Sequence, residues 1–279
     1  MDNRPIGFFD SGLGGLTSIP YLMNELPEEK VIYFGDTART PYGSKAVTTI
    51  QRFSAEIADF LVKCNVKMIV IACNTVSSTC LEDLRKRFPM IPIVGIISPA
   101  AEEVARTCVP GSRVGIIGTK VTIASHAYRD TITGLQPDLK ISETACPAFV
   151  PLIEEGIIRN AIMDMTIKYY MDSFVGGNRL DTVILGCTHY PLIQENISRI
   201  YPRLKIINPS SVVIGEIKRI LTARDALAQG SDFTNVFYAS DLSENFINMI
   251  NHIFEDVDED KKVKFINFDL EKERLHGLL

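Results

Sequence analysis

The chain has 279 residues, of which 46% are hydrophobic and 23% charged, with a formal charge of −5 at pH 7 and a pI near 5.5. That length and balance fit one large or two ordinary globular domains with a sizeable core. They leave no room for a membrane helix, since no apolar run approaches the ~20 residues one needs, and the acidic balance argues against a nucleic-acid surface.

Basic residues come only in short groups such as Arg85-Lys86-Arg87 and Lys261-Lys262, which a solvated helix face or turn explains. The N-terminal M-D-N-R-P-I-G-F-F-D has no long apolar stretch of a signal peptide, so a cytoplasmic location is expected. Cysteines stand at 64, 73, 80, 108, 146 and 187 without any C-x-x-C spacing, which removes the main signal for a zinc ribbon or a thioredoxin-like site. In a cytosolic chain they are expected to be reduced. Cys64, Cys80 and Cys108 read as small buried hydrophobes.

In chain order, short β-branched runs alternate with amphipathic stretches. Strands are predicted at 5–9, 31–35, 67–72, 91–97, 113–118, 139–144, 181–186, 204–208 and 235–239. Helices are predicted near 14–26, 44–64, 76–88, 98–108, 122–134, 159–175, 190–200, 210–228 and 242–254. The strands are apolar throughout rather than alternating, as in parallel sheets covered on both faces. Strand–helix alternation predicts a doubly wound α/β fold.

Two strand ends share a plan. "IVIACNT" (69–75) and "VILGCTH" (183–189) each give an apolar strand, one small residue, a cysteine and two polar residues. "IGFFDSG" (6–12) and "VGIIGTK" (114–120) form a looser second pair. Two similar α/β lobes would account for both. Ligands of open α/β sheets gather at the carboxyl ends of strands, so facing lobes would bring Cys73 and Cys187 across one cleft.

Three further stretches carry polar groups to such ends. "FFDSGLGGLT" runs from a strand through Asp10 and Ser11 into a glycine-rich turn. Its G-x-G-G spacing does not meet the dinucleotide fingerprint. Asp10 and Ser11 serve equally well as helix caps, but an aspartate there suits an ammonium group or a thiol in need of a partner. "FGDTARTPYG" (34–43) is a turn that could bring the Tyr42 hydroxyl and the Gly43 N–H into a cleft. In "GCTHYPLI" (186–193), His189 stands two residues after Cys187, as a general acid or a means of lowering the thiol pKa, and Pro191 suits a first helical turn.

One activated thiol would suggest a covalent nucleophile. Two thiols on matched lobes suggest inversion of a stereocentre, with a base on one face and an acid on the other. The roles exchange when the substrate binds in the opposite hand. Such a reaction needs no pyridoxal phosphate, but the weakly acidic α-proton demands a dry site with preorganised donors.

Taken together and in this order, "FDSGLGGL", "DTARTPYG", "ACNTVSS" and "GCTHYPLI" closely resemble the bacterial glutamate racemases of the cofactor-independent aspartate/glutamate racemase superfamily. The resemblance implies an α/β fold of two doubly wound, flavodoxin-like lobes with mainly parallel central sheets. They are related by pseudo-two-fold symmetry, with the active site between them. Residues 1–97 plus 209–279 are expected to form the first lobe and 98–208 the second. It implies interconversion of L- and D-glutamate without cofactor or metal, D-glutamate being supplied to peptidoglycan. Cys73 matches the base acting on the D-enantiomer and Cys187 the one acting on the L-enantiomer. Asp10 and His189 match the residues assisting those thiols, and Glu154, rather than its neighbour Glu155, the assisting glutamate. Ser11, Tyr42, Gly43, Asn74, Thr75 and Thr188 match substrate contacts, as do Thr119 and Thr122 of a G-T-x-x-T pattern. A homodimer is a further implication, with glutamate as the small-molecule partner and neither nucleic acid nor membrane.

Other readings remain open at this stage. Aspartate racemases would also show two thiols, and one methylene is worth only ~1–3 kcal/mol of discrimination. A two-lobe binding protein for a small dicarboxylate would keep its ligand after Cys73→Ser and Cys187→Ser. A thiol redox enzyme would form a Cys73–Cys187 disulfide during turnover.

Overall fold

A computed structural model describes residues 1–230, 234–241, 244–254 and 263–267; Lys261-Lys262 and the first two residues of the helix expected at 242–254 lie outside these. Two sheets are present, and all their strand pairs are parallel. The first contains β1 (Ile6–Asp10), β2 (Val31–Gly35), β3 (Met68–Ile71) and β4 (Ile93–Gly95). The second contains β5 (Arg113–Gly118), β6 (Lys140–Ala145), β7 (Thr182–Gly186) and β8 (Lys205–Ile207). The chain then returns to the first sheet with β9 (Asn235–Ala239) and β10 (Val263–Asn267).

The strand orders are β10-β9-β2-β1-β3-β4 and β6-β5-β7-β8. Counted within each lobe, both contain the order 2-1-3-4, so β1 corresponds to β5 and β3 to β7. In that order the second strand is added on one side of the first and the third on the other, and this switch opens a crevice at the carboxyl ends of the first and third strands.

Burial follows the apolar runs. β1, β2, β3 and β7 are buried along their whole length, whereas β6, an edge strand with the sequence KISETA, is only partly covered. Successive side chains of a strand face opposite sides. Phe8, Tyr33 and Val70 accordingly join one apolar cluster, while Phe9, Phe34, Ile69 and Ile71 join another. The first cluster continues through Ile97, Ala101 and Val104 of the helix Ile97–Thr107 and Ile214 and Ile217 of the helix Pro209–Ala223 to Val114, Ile116 and Val183 of the second sheet. The lobes therefore share one core.

A buried ion pair fastens the point of return. Lys67 Nζ lies 2.6 Å from Glu29 Oε2 and donates to the carbonyls of Asp2 and Ala226 at 2.7 and 2.8 Å. Glu29 Oε1 accepts from the Ala228 amide at 2.9 Å.

Several expected helices are interrupted. The stretch 14–26 is a 3-10 turn, Gly14–Ser18, followed by the helix Ile19–Glu25. The stretch 76–88 breaks at Cys80 into Asn74–Thr79 and Leu81–Arg87. The stretch 122–134 breaks at His126, whose φ of 55° is left-handed. Pro191 sits in a 3-10 turn, Tyr190–Ile193, ahead of the helix Gln194–Ile200. The strand expected over 91–97 shortens to β4, because a helix already starts at Ile97. The helix Phe149–Glu154 and β10 were not anticipated. Cys80 and Cys108 are buried as expected, while Cys64, capping the helix Val47–Lys63, is only half-buried. No described helix is long and apolar enough to cross a membrane.

Candidate active site

The carboxyl ends of β1, β3, β5 and β7 converge on one narrow pocket. Ser11, Tyr42, Gly43, Cys73, Asn74 and Thr75 line it from the first lobe. Thr119, Cys187, Thr188 and His189 line it from the second. Thr40, Pro41 and Val150, which the sequence reading passed over, complete the wall.

Cys73 caps the helix Asn74–Thr79 directly after β3, and its thiol donates to Ser11 Oγ at 3.5 Å. Burial pushes the Cys73 thiol pKa up, and the Asp10 carboxylate adds to the rise, against hydrogen bonds from Ser11 and the Val76 amide. Asp10 is itself fully buried at the end of β1. Its Oδ2 accepts the Gly12 and Gly15 amides at 3.2 and 3.1 Å, and its Oδ1 accepts the Thr188 hydroxyl at 3.4 Å. Capping and a place beside the thiol, alternatives in the sequence, are thus met by one side chain.

Cys187 follows β7, with its sulfur 3.9 Å from His189 Nδ1. His189 Nε2 lies 3.1 Å from Glu154 Oε1 on the helix Phe149–Glu154. Burial alone would lower the His189 pKa, but the hydrogen bonds to Cys187 and Glu154 overcome it and push the value up to about 10. At neutral pH His189 is therefore an imidazolium beside the sulfur. Glu155 is exposed and takes no part.

Close packing sets the approach of the lobes. A Cβ on Gly14 would stand 2.4 Å from Thr188 Oγ1 and 2.6 Å from His189 Nδ1, so the Asp10 turn reaches the Cys187 turn only because that position is glycine. A Cβ on Gly43 would stand 2.6 Å from the Thr119 Cβ. Thr17 Oγ1 donates to the Gly14 carbonyl at 2.7 Å and lies 3.2 Å from the Thr188 carbonyl.

Several polar groups facing the pocket are held from the opposite lobe. Tyr128 donates to Asn74 Oδ1 at 2.6 Å, leaving the buried Asn74 Nδ2 without a partner. Such an orphaned donor beside a pocket is costly unless a ligand or water takes it up. The Thr75 and Thr119 hydroxyls lie 3.1 Å apart, and Thr122 Oγ1 lies 3.3 and 3.0 Å from them.

Two expected contacts differ in detail. Thr122 does not line the pocket; it stands behind Thr75 and Thr119. Tyr42 lines the pocket, but its hydroxyl is spent on a short hydrogen bond to Asp36, and burial followed by that carboxylate drives its pKa up. Nothing in the sequence marks Val150 as other than a core valine, or joins Tyr128 to an asparagine 54 residues away. Thr40 and Pro41 lie in the turn at 34–43 without any feature of their own to single them out. Among the described residues no group of three or more His, Cys, Asp and Glu could hold a metal ion.

The comparisons with known proteins point one way. The family model described as Asp/Glu/Hydantoin racemase matches residues 21–216. A glutamate racemase of Sulfurihydrogenibium sp. (strain YO3AOP1) is 46% identical over 217 residues, covering 77% of this chain and 82% of the relative. One of Geobacter metallireducens is 41% identical over 253 residues, covering 90% and 93%. The solved structure of a glutamate racemase from Francisella tularensis subsp. tularensis SCHU S4, in complex with D-glutamate, has a TM-score of 0.89 and 35% identity over 98% of this chain and all of that one. A chain that matches the family model over most of its length, and folds like these relatives, belongs to the Asp/Glu/hydantoin racemase family, within its glutamate racemase branch, and is an isomerase.

Proposed function

We propose that the protein interconverts L- and D-glutamate by proton transfer at the α-carbon, with Cys73 and Cys187 acting from opposite faces. The observation that carries this reading is that the two thiols leave equivalent strands of the two sheets and line one pocket. The relative crystallised with D-glutamate supports the substrate.

With L-glutamate bound, the Cys187 thiolate removes the α-proton, and the Cys73 thiol then delivers its own proton to the other face. With D-glutamate the direction reverses. The two sides start in suitable states. Cys73 is held as a neutral thiol by burial and by Asp10, and the His189 imidazolium lies against the Cys187 sulfur. Glu154 keeps His189 charged and turned toward Cys187. Asn74 Nδ2 and the Thr75 and Thr119 hydroxyls offer donors to the substrate carboxylates and to the charge that develops in the transition state. The Ser11 and Thr188 hydroxyls, which line the pocket, offer acceptors to the ammonium group. The chemistry requires no cofactor, and the product feeds peptidoglycan synthesis. A homodimer, testable by sedimentation, belongs to the same proposal, as does the division of the lobes at residues 97 and 209.

The deciding experiment is incubation with L- or D-glutamate in deuterated water without added cofactor, with aspartate as a control. Deuterium should enter the α-carbon while the circular dichroism of the substrate decays to zero. Folded protein that does neither with glutamate ends the proposal.

A further inference from the structure

The pocket wall formed by Thr40, Pro41, Tyr42 and Gly43 belongs to a segment that no long helix or strand holds in shape. After β2 the chain makes two single 3-10 turns, Thr37–Arg39 and Tyr42–Ser44, and neither is capped by a side chain. The segment is tied down from two directions instead. Asp36, fully buried at its root, accepts the Tyr42 hydroxyl and, at 2.7 Å, Arg39 Nε on its Oδ2. Its Oδ1 accepts the Ser240 hydroxyl at 3.0 Å.

Ser240 comes from the far end of the chain, directly after β9. Its Oγ also accepts the Ala38 amide at 2.9 Å, and its own amide donates to the Gly35 carbonyl at 3.1 Å. One residue on, the Asp241 amide donates to Thr37 Oγ1 at 2.7 Å, and the same hydroxyl donates to the Asp241 carbonyl at 2.6 Å. A buried carboxylate is tolerated only while its lone pairs are occupied. Loss of the Ser240 hydroxyl would therefore strip both Asp36 Oδ1 and the Ala38 amide at once.

We propose that Asp36 and Ser240 form a clamp through which the returning segment sets the shape of the Tyr42–Gly43 pocket wall. Both are positioning residues: neither lines the pocket, and each acts through Tyr42 and its neighbours. The clamp acts on binding more than on proton transfer, because Cys73 and Cys187 are placed by β3 and β7 rather than by this segment. The kinetic consequence rests on the racemase reading; the effect on the wall itself does not.

Two measurements on the full chain separate these. Amide hydrogen exchange over residues 37–43, read by mass spectrometry without substrate, should speed up about tenfold in Ser240→Ala and return to the parent rate in Ser240→Thr. In the racemisation assay, KM for glutamate should rise about tenfold in Ser240→Ala with kcat within about twofold, again restored by threonine. A lower melting temperature with unchanged exchange and KM would reduce Ser240 to an ordinary structural tie and overturn the clamp. If the parent protein does not racemise glutamate, the functional proposal falls, and unchanged amide exchange in Ser240→Ala still decides against the clamp. Should Ser240→Ala fail to fold, Thr37→Val, which cuts the neighbouring tie to Asp241 and spares Asp36, is read by the same two criteria.

Discussion

Cys73 and Cys187 occupy the same place in two copies of one topology, each directly after the third strand of its lobe, but their neighbours have opposite charge. Beside Cys73 stand the Asp10 carboxylate and a neutral hydroxyl, Ser11, and together with burial the carboxylate keeps the sulfur protonated. Beside Cys187 stands an imidazolium, held charged by Glu154. A repeated backbone therefore supplies a symmetric placement of the two thiols, and the side chains break that symmetry with a carboxylate on one side and an imidazole on the other.

The largest expected effect removes one half of the comparison. Cys73→Ala and Cys187→Ala should each lower the racemisation rate by about 10³-fold or more, a loss in the range of a missing general acid or base. Equal loss in both is expected, since inversion needs both faces. Either variant keeping parent activity would sink the two-thiol mechanism. Next comes the spacing between the halves. Gly14→Ala places a methyl against Thr188 and His189 and should cost about 10²-fold in turnover, through a misplacement near 1 Å at the Cys187 turn. Gly177→Ala, with open space at its Cβ on the helix Ala161–Asn178, is the control and should leave activity unchanged.

The sequence makes one half of this picture legible and hides much of the other. The paired cysteine strings expose the internal repeat because strand, small residue, cysteine and polar cap are all local features. The approach of the lobes, by contrast, depends on contacts between positions far apart in the chain. Gly14 reads as a turn glycine until Thr188, 174 residues on, is found against it. Only resemblance separates Glu154 from Glu155 in the sequence, and the physical reason appears with the hydrogen bond to His189. Asp36 and Ser240 carry no local signal, since a buried aspartate after a strand looks like a turn residue. Breaks in helices at Cys80 and His126 were likewise invisible to periodicity, which sees the apolar face but not the φ angle of one residue.

A titration sharpens the electrostatic difference. His189 has a folded pKa of about 10 against an ordinary value of 6.5. A group whose pKa is raised on folding contributes stability that is complete below the lower value and is lost as pH rises through the higher one. The melting temperature of the parent should exceed that of His189→Asn by most at pH 6.5 and below, and the gap should close toward pH 10. A gap that widened with pH would mean that His189 is neutral in the fold. The charge pairing also predicts an asymmetry between the two thiols. Cys187→Ala should lower the His189 pKa, followed by imidazole resonances in nuclear magnetic resonance, whereas Cys73→Ala should leave it in place.

The smallest expected effects discriminate most finely between the two sides. Ser11→Ala removes the partner of the Cys73 thiol, and Glu154→Gln weakens the cation beside Cys187. Each should cost several-fold, about the value of one hydrogen bond to a polar or charged group. Rates in the two directions cannot reveal which side was damaged. The equilibrium constant between enantiomers is unity, so kcat/KM must be equal in both directions for any variant. Isotope effects escape this constraint. On the proposed roles, α-deuterium leaves L-glutamate toward Cys187 and leaves D-glutamate toward Cys73, so each labelled enantiomer reports on one transfer. Ser11→Ala makes the Cys73 transfer more rate-limiting and should raise the isotope effect on kcat/KM from D-glutamate while lowering that from L-glutamate. Glu154→Gln should do the reverse. Equal changes from both enantiomers would mean that the two protons move in a single step, and the opposing charges at the two thiols would then have to be balanced within one transition state rather than assigned to separate acid and base steps.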